Sequence, residues 1–157
     1  MSQGQSPADD LSAALSEQAR ALVPALIERA ERANRERRIP AETMAAIRAS
    51  GMLRVLQPRR FGGMGGDYPA FASAIHELAQ GCASTAWVYG VLGEHQWVLS
   101  MFPEATQVEV WGANPEAVAS SSFAPAGTAR QVDGGHEISG RWSFSSGCDF
   151  AQWAIVG

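Results

Sequence analysis

Residues 51–67 read GMLRVLQPRRFGGMGGD, and the reading of this stretch decides the fold. Gly62, Gly63, Gly65 and Gly66 put four glycines into five positions, which predicts a connection with backbone angles that other residues avoid. The stretch follows no clear strand of a βαβ unit and has no Lys followed by Ser or Thr. It is therefore a poor dinucleotide-binding or P-loop signature and reads as a tight connection between helices. Gly51 suits the C-terminal cap of a helix ending before it. Asp67 suits the N-cap of a helix starting after it.

Upstream, Leu11, Leu15, Leu22, Leu26, Ile27 and Ala30 recur at helical spacing with Glu and Arg on the other faces. That pattern predicts an amphipathic helix over 11–38, bent or split at Pro24. Arg35 to Arg38 read as its solvated, dipole-compatible end. Residues 1–10 read as a disordered tail. Pro40 opens a second helix over 41–50. Downstream, the spacing predicts helices over 68–80, from Ala83 to about Phe102, and from Pro103 to about Trp111. The middle one is apolar on most sides and is expected to be buried and central. Trp87, Trp97 and Trp111 are expected in the core. After Asn114-Pro115 the texture changes to short strands: 118–123, 131–132, 138–144 and 152–156. The fold class is thus α+β, with a helical part over 11–115 and the start of a β part over 116–157. Three or four strands with an open edge make a poor independent core. The expectation is a chain cut short, or one completed by a partner.

Composition limits the function classes. The 157 residues are 46% hydrophobic and 18% charged, which is globular. The net charge of −4, with twelve Arg and no Lys, argues against nucleic acid as the main partner. Cys82 and Cys148 show no zinc or disulfide spacing, and no metal is expected. The N-terminus lacks a basic region followed by an apolar run, and Gly90, Gly93, Glu94 and His95 interrupt the most apolar stretch. A cytoplasmic protein without a membrane span is expected.

The order of these features resembles the acyl-CoA dehydrogenase fold: a helical N-terminal domain, a Gly-rich loop, a buried helix, then a β domain. Gly51-Met52-Leu53 with Pro58, Phe61-Gly62-Gly63 and Gly65-Gly66 is similar to one motif of that family. Ile138-Ser139-Gly140-Arg141-Trp142-Ser143-Phe144-Ser145-Ser146-Gly147 is similar to a second. The resemblance implies an all-α N-terminal domain followed by the first strands of a truncated β-barrel. Departures narrow it. The entry to the β part, Ser120-Ser121-Ser122-Phe123-Ala124-Pro125, carries no acid at Ala124. The buried helix carries Glu94-His95-Gln96-Trp97. These variants look like the oxygenase components of two-component flavin-dependent monooxygenases, of the phenol and 4-hydroxyphenylacetate hydroxylase type.

That resemblance implies reduced flavin (FMN or FAD) as cofactor, supplied by a separate flavin reductase. It also implies a phenolic or other aromatic substrate, and a homotetramer in the complete protein. His95 is a core histidine satisfied by its neighbours, or it faces the substrate and the flavin edge and exchanges a proton with a phenol. Ser146 is a turn serine, or a hydroxyl beside flavin N5 and O4. Phe144 packs against the flavin ring or points inward from a strand. Ser121, Ser122 and Phe123 correspond to the strand end whose backbone meets the flavin pyrimidine edge. Two alternatives remain open. One is an FAD-dependent acyl-CoA dehydrogenase, whose carboxylate base the family places beyond residue 157. The other is a non-catalytic helical fragment.

Overall fold

A 30-residue helix, α1 (Pro7–Glu36), forms the backbone of the helical part. Asp9 and Asp10 sit in its first turn and Arg35 in its last, each favourable to the helix dipole. Buried Leu15, Ala19, Leu26 and Ala33 recur at helical spacing and face the interior. The computed structural model describes residues 7–157. The expected disordered tail over 1–10 is corrected at its end, since residues 7–10 are helical; residues 1–6 lie outside the described residues. Of the expected bend or split at Pro24, the split is corrected, because the helix runs through it as one element. Packing against the third helix holds it together on both sides of the proline.

Four more helices follow: α2 (Ala41–Ala49), α3 (Tyr68–Gly81), α4 (Ala83–Ser100) and α5 (Glu104–Trp111). Gly51, in the left-handed region at φ 75°, follows α2, and the Asp67 carboxylate accepts from the Ala70 amide at 3.0 Å to start α3. Between them the glycine stretch turns back on itself. Gly62 and Gly65 have φ of 86° and 57°. The amides of Met64, Gly65 and Gly66 bond to the carbonyls of Arg54, Gln57 and Val55. The main core lies among α1, α2, α3 and α4 and includes Leu15, Leu26, Ile47, Met52, Phe71, Leu78, Tyr89 and Leu92. A smaller cluster of Leu99, Val110, Trp111, Ala117 and Ala119 joins α4 and α5 to the first strand.

The strands form two separate pairs. β1 (Ala119–Ser122) runs parallel to β4 (Trp153–Val156), and β2 (Gly127–Val132) pairs antiparallel with β3 (Gly135–Gly140). The expected strand over 138–144 ends at Gly140. Beyond it the Trp142 ring folds back over Gly127, and its indole donates to the Gly157 carbonyl at 2.9 Å. Phe144 then takes a left-handed backbone, φ 60°. Among the described residues, no helix is long and apolar enough to cross a membrane.

The loop sets a test of packing. A methyl group on Gly63 would lie 2.1 Å from the Gln57 carbonyl oxygen, a backbone atom that cannot swing away. Gly-to-Ala changes at compatible sites stabilise by about 0.4–1 kcal/mol through the unfolded chain. Overpacking costs about 1–3 kcal/mol. Gly63→Ala is therefore expected to destabilise by about 1 kcal/mol or more. Urea unfolding checks it, by a lower midpoint at unchanged slope.

Candidate functional site

α4 buries one face and leaves the other open. Thr85, Ala86, Tyr89, Leu92, His95, Gln96 and Leu99 are buried, whereas Trp87 and Trp97 are 66% and 44% exposed. The expectation of three core tryptophans is corrected: only Trp111, at 1% exposed, is in the core. The reason is that the face of α4 carrying Tyr89, Leu92 and Gln96 is the covered one, which leaves Trp87 turned outward.

His95 is 3% exposed, and both ring nitrogens are engaged. Nδ1 lies 2.9 Å from the Ala119 carbonyl oxygen, which can only accept, so Nδ1 carries the proton. Nε2 is then the acceptor, and the Ser121 hydroxyl donates to it at 2.9 Å. This tautomer is assigned from the hydrogen-bond network. Burial pushes the imidazole below its ordinary value of 6.5; the bond to Ala119 and the charge of Glu94 oppose that only in part. The ring is neutral near pH 7. The Phe123 ring stands edge-on to it at 5.9 Å.

β1 distributes its serines by the two-residue period of a strand. Ser121 faces α4. Ser120 and its second neighbour Ser122 meet the segment before Ser146 instead: the Ser145 hydroxyl donates to Ser120 Oγ at 3.0 Å, and Ser122 Oγ donates to the Ser143 carbonyl at 2.8 Å. From the other side Arg48 donates to the Phe150 carbonyl at 2.7 Å. Arg38, expected to be merely solvated, pairs with Asp149 at 3.4 Å and lies over the Phe150 ring. The turn that carries Ser146 is thus tied to β1, α2 and the end of α1.

His95, Ser121, Ser122, Phe123, Phe144 and Ser146 all line one cavity of about 380 Å³. Phe144 is 98% exposed at its rim, which corrects the alternative of an inward strand residue. A larger cavity of about 590 Å³ lies on the far side of Ser146, against Arg37, Arg38 and Cys148. It lacks the imidazole and the strand. Trp87 and Ser146 stand between them, and the Trp87 indole donates to Ser146 Oγ at 3.1 Å. Since that indole is donor-only, the Ser146 hydroxyl keeps its own proton free to donate. Sequence reasoning missed Trp87, because an aromatic at helical spacing reads as core. It also missed Glu94, which lines the cavity beside His95.

Residues 10–112 match the family described as acyl-CoA dehydrogenase, N-terminal domain. The FADH(2)-dependent resorcinol hydroxylase oxygenase component of Rhizobium sp. is 48% identical over 119 residues, 76% of this chain and 29% of that one. The flavin-dependent monooxygenase oxygenase subunit HsaA of Rhodococcus jostii is 44% identical over 137 residues, 87% of this chain and 36% of that one. The structure of XiaF from Streptomyces sp. in complex with FADH2 and glycerol superposes with a TM-score of 0.90 at 32% identity, covering 94% of this chain and 37% of that one. The chain spans about a third of the length of the curated relatives it matches.

The buried imidazole makes stability depend on pH. As pH falls through 6.5, the unfolded chain takes up a proton that folded His95, with its lowered pKa, does not. Stability present above pH 6.5 is lost as pH falls toward the folded value. His95→Gln removes this dependence. The stability advantage of the native chain over the variant is expected to shrink between pH 7.5 and pH 5.5 in urea unfolding. A constant difference would show that the ring is not held neutral.

Proposed function

The chain belongs to the acyl-CoA dehydrogenase N-terminal domain family, and on that premise we propose that the complete protein is the oxygenase component of a two-component flavin-dependent monooxygenase that hydroxylates a phenolic or other aromatic compound. One observation carries the reading. Six residues singled out by resemblance, separated by up to 51 positions between His95 and Ser146, converge on a single cavity built around a buried Ser–His pair. The relatives named as oxygenase components support it.

The residues fit a flavin. Trp87, Phe123 and Phe144 offer exposed ring surface, and the Ser146 hydroxyl, held by Trp87, offers a donor to a ring nitrogen or carbonyl. Phe144 and Phe123 would hold the ring system, Ser146 its polar edge, and Ser121 and Ser122 the strand end beside it. Reduced flavin, when bound, supplies two electrons to dioxygen, so that one oxygen atom enters the aromatic ring and the other leaves as water.

The chain's own part is binding and proton handling. Ser121 Oγ accepts the phenol O–H proton while passing its own to His95 Nε2. The Nδ1–H bond to Ala119 steadies the imidazolium that forms. Full transfer ahead of attack is uphill, because a phenol titrates near 10 and this imidazole below 6.5. The proton therefore moves as the ring carbon bonds to oxygen and its hydroxyl becomes acidic. His95, 3% exposed, acts through Ser121 and does not meet the substrate directly. In this reading a separate flavin reductase supplies reduced FMN or FAD, the complete protein assembles as a homotetramer, and both components work in the cytoplasm.

The test gives the complete protein reduced flavin and ¹⁸O₂ with a panel of phenols. One labelled oxygen per hydroxylated product is expected. Ser121→Ala is expected to lower kcat about 10²- to 10⁴-fold, as loss of a positioned proton acceptor does. No hydroxylation across the panel, with flavin bleached by acyl thioesters instead, would overturn the reading in favour of a dehydrogenase.

A further inference from the structure

Among the described residues, Glu94 is the one ionised side chain on the wall of the His95 cavity. It sits one residue before His95 on α4, one turn after Val91 on the same wall. It is not a loose surface carboxylate. The Tyr68 hydroxyl donates to Glu94 Oε1 at 2.7 Å. Tyr68 is itself fixed, with its ring edge-on to Phe71 at 5.8 Å and to Trp97 at 5.9 Å. Burial first, and then the Glu94 carboxylate, push the Tyr68 hydroxyl up to about 12, so it stays a donor at every working pH. The Glu94 charge favours protonation of the neighbouring His95 ring, against the larger effect of burial. None of the twelve arginines lines this cavity; Arg37 and Arg38 face the other one.

We propose that Glu94 is a specificity-determining residue that makes this cavity select uncharged phenols over phenols bearing a carboxylate. The inference rests on the phenol-hydroxylating reading above. A phenol seated with its hydroxyl on Ser121 extends its other substituents along the wall that Glu94 occupies. A carboxylate there meets a like charge and finds no cation among the residues lining this cavity to pair with. A neutral substituent with an N–H or O–H donates to the free Glu94 oxygen instead. Glu94 is exposed at the rim, so salt screens the repulsion and the discrimination is moderate.

A matched pair isolates the charge: 4-hydroxyphenylacetamide and 4-hydroxyphenylacetate have nearly the same shape. Binding of each to the complete protein is measured by equilibrium dialysis, and kcat/KM by turnover, for the native protein and for Glu94→Gln. Gln keeps an acceptor for Tyr68 and removes the charge. The native protein is expected to bind the amide about ten- to a hundredfold more tightly than the acetate. The ratio is expected to fall toward one in Glu94→Gln, chiefly by tighter binding of the acetate, and to shrink in the native protein as ionic strength rises. Equal binding of the two by the native protein, or a ratio that survives Glu94→Gln, overturns this inference alone. If neither compound binds and no other phenol does, the hydroxylase reading itself falls and this inference with it.

Discussion

Everything at the site depends on how β1 is fastened to α4. Two successive helix residues, His95 and Gln96, donate to two carbonyls of the incoming segment, Ala119 and Ala117, at 2.9 and 3.2 Å. All four groups are buried, and a buried polar group left without its partner costs about 1–3 kcal/mol. Trp111 reinforces the join, with its indole shared between Gln96 Oε1 and the Ala117 carbonyl. A slip of one residue would break these bonds together and would also turn Ser121 away from His95, because strand side chains alternate faces. The register of one strand on one helix thus sets the tautomer of the histidine and the direction of the serine proton.

The second wall is held by different means. The turn carrying Ser146 packs Phe150 and Ala151 on the main core, and bonds from Arg48 and Arg38 add to that anchoring. Serine hydroxyls on β1 fix it from the side. The glycine stretch contributes at a distance. Its tight return lets Gln57 reach the Pro115 carbonyl at 2.9 Å, which anchors the chain where it leaves the helical part for β1. A compact loop with no ligand chemistry therefore helps to place a strand that has some.

Much of this was legible in the sequence, and the misses share a cause. Helix spans followed from periodicity and caps, since Asp67 and Gly51 act locally. The strand after Ile138 did not end as expected, because Trp142 folds onto Gly127, a contact between residues fifteen apart that no local pattern encodes. Trp87 was misread because period and apolarity cannot say which face of a mostly apolar helix is covered. His95 shows a subtler limit. Its two readings, a satisfied core histidine and a proton acceptor at the site, exclude one another only if the ring must touch the substrate. With Ser121 interposed, a ring whose two nitrogens are both engaged is compatible with the proposed role. Phe144 was legible only through the resemblance; its positive φ and near-complete exposure depend on the segment that follows β3.

The electrostatic arrangement follows from the same burial. Placing His95 under β1 lowers its basicity, which by itself would weaken a proton acceptor. Two features oppose this in part. The Ala119 carbonyl stabilises the Nδ1 proton whether the ring is neutral or charged, and more strongly when charged. Glu94, outside the buried pair but within its field, favours the protonated ring. The Tyr68 hydroxyl donates to Glu94 Oε1 at 2.7 Å. The price of that position is a negative charge on the wall of the cavity, and so a constraint on what the cavity can hold.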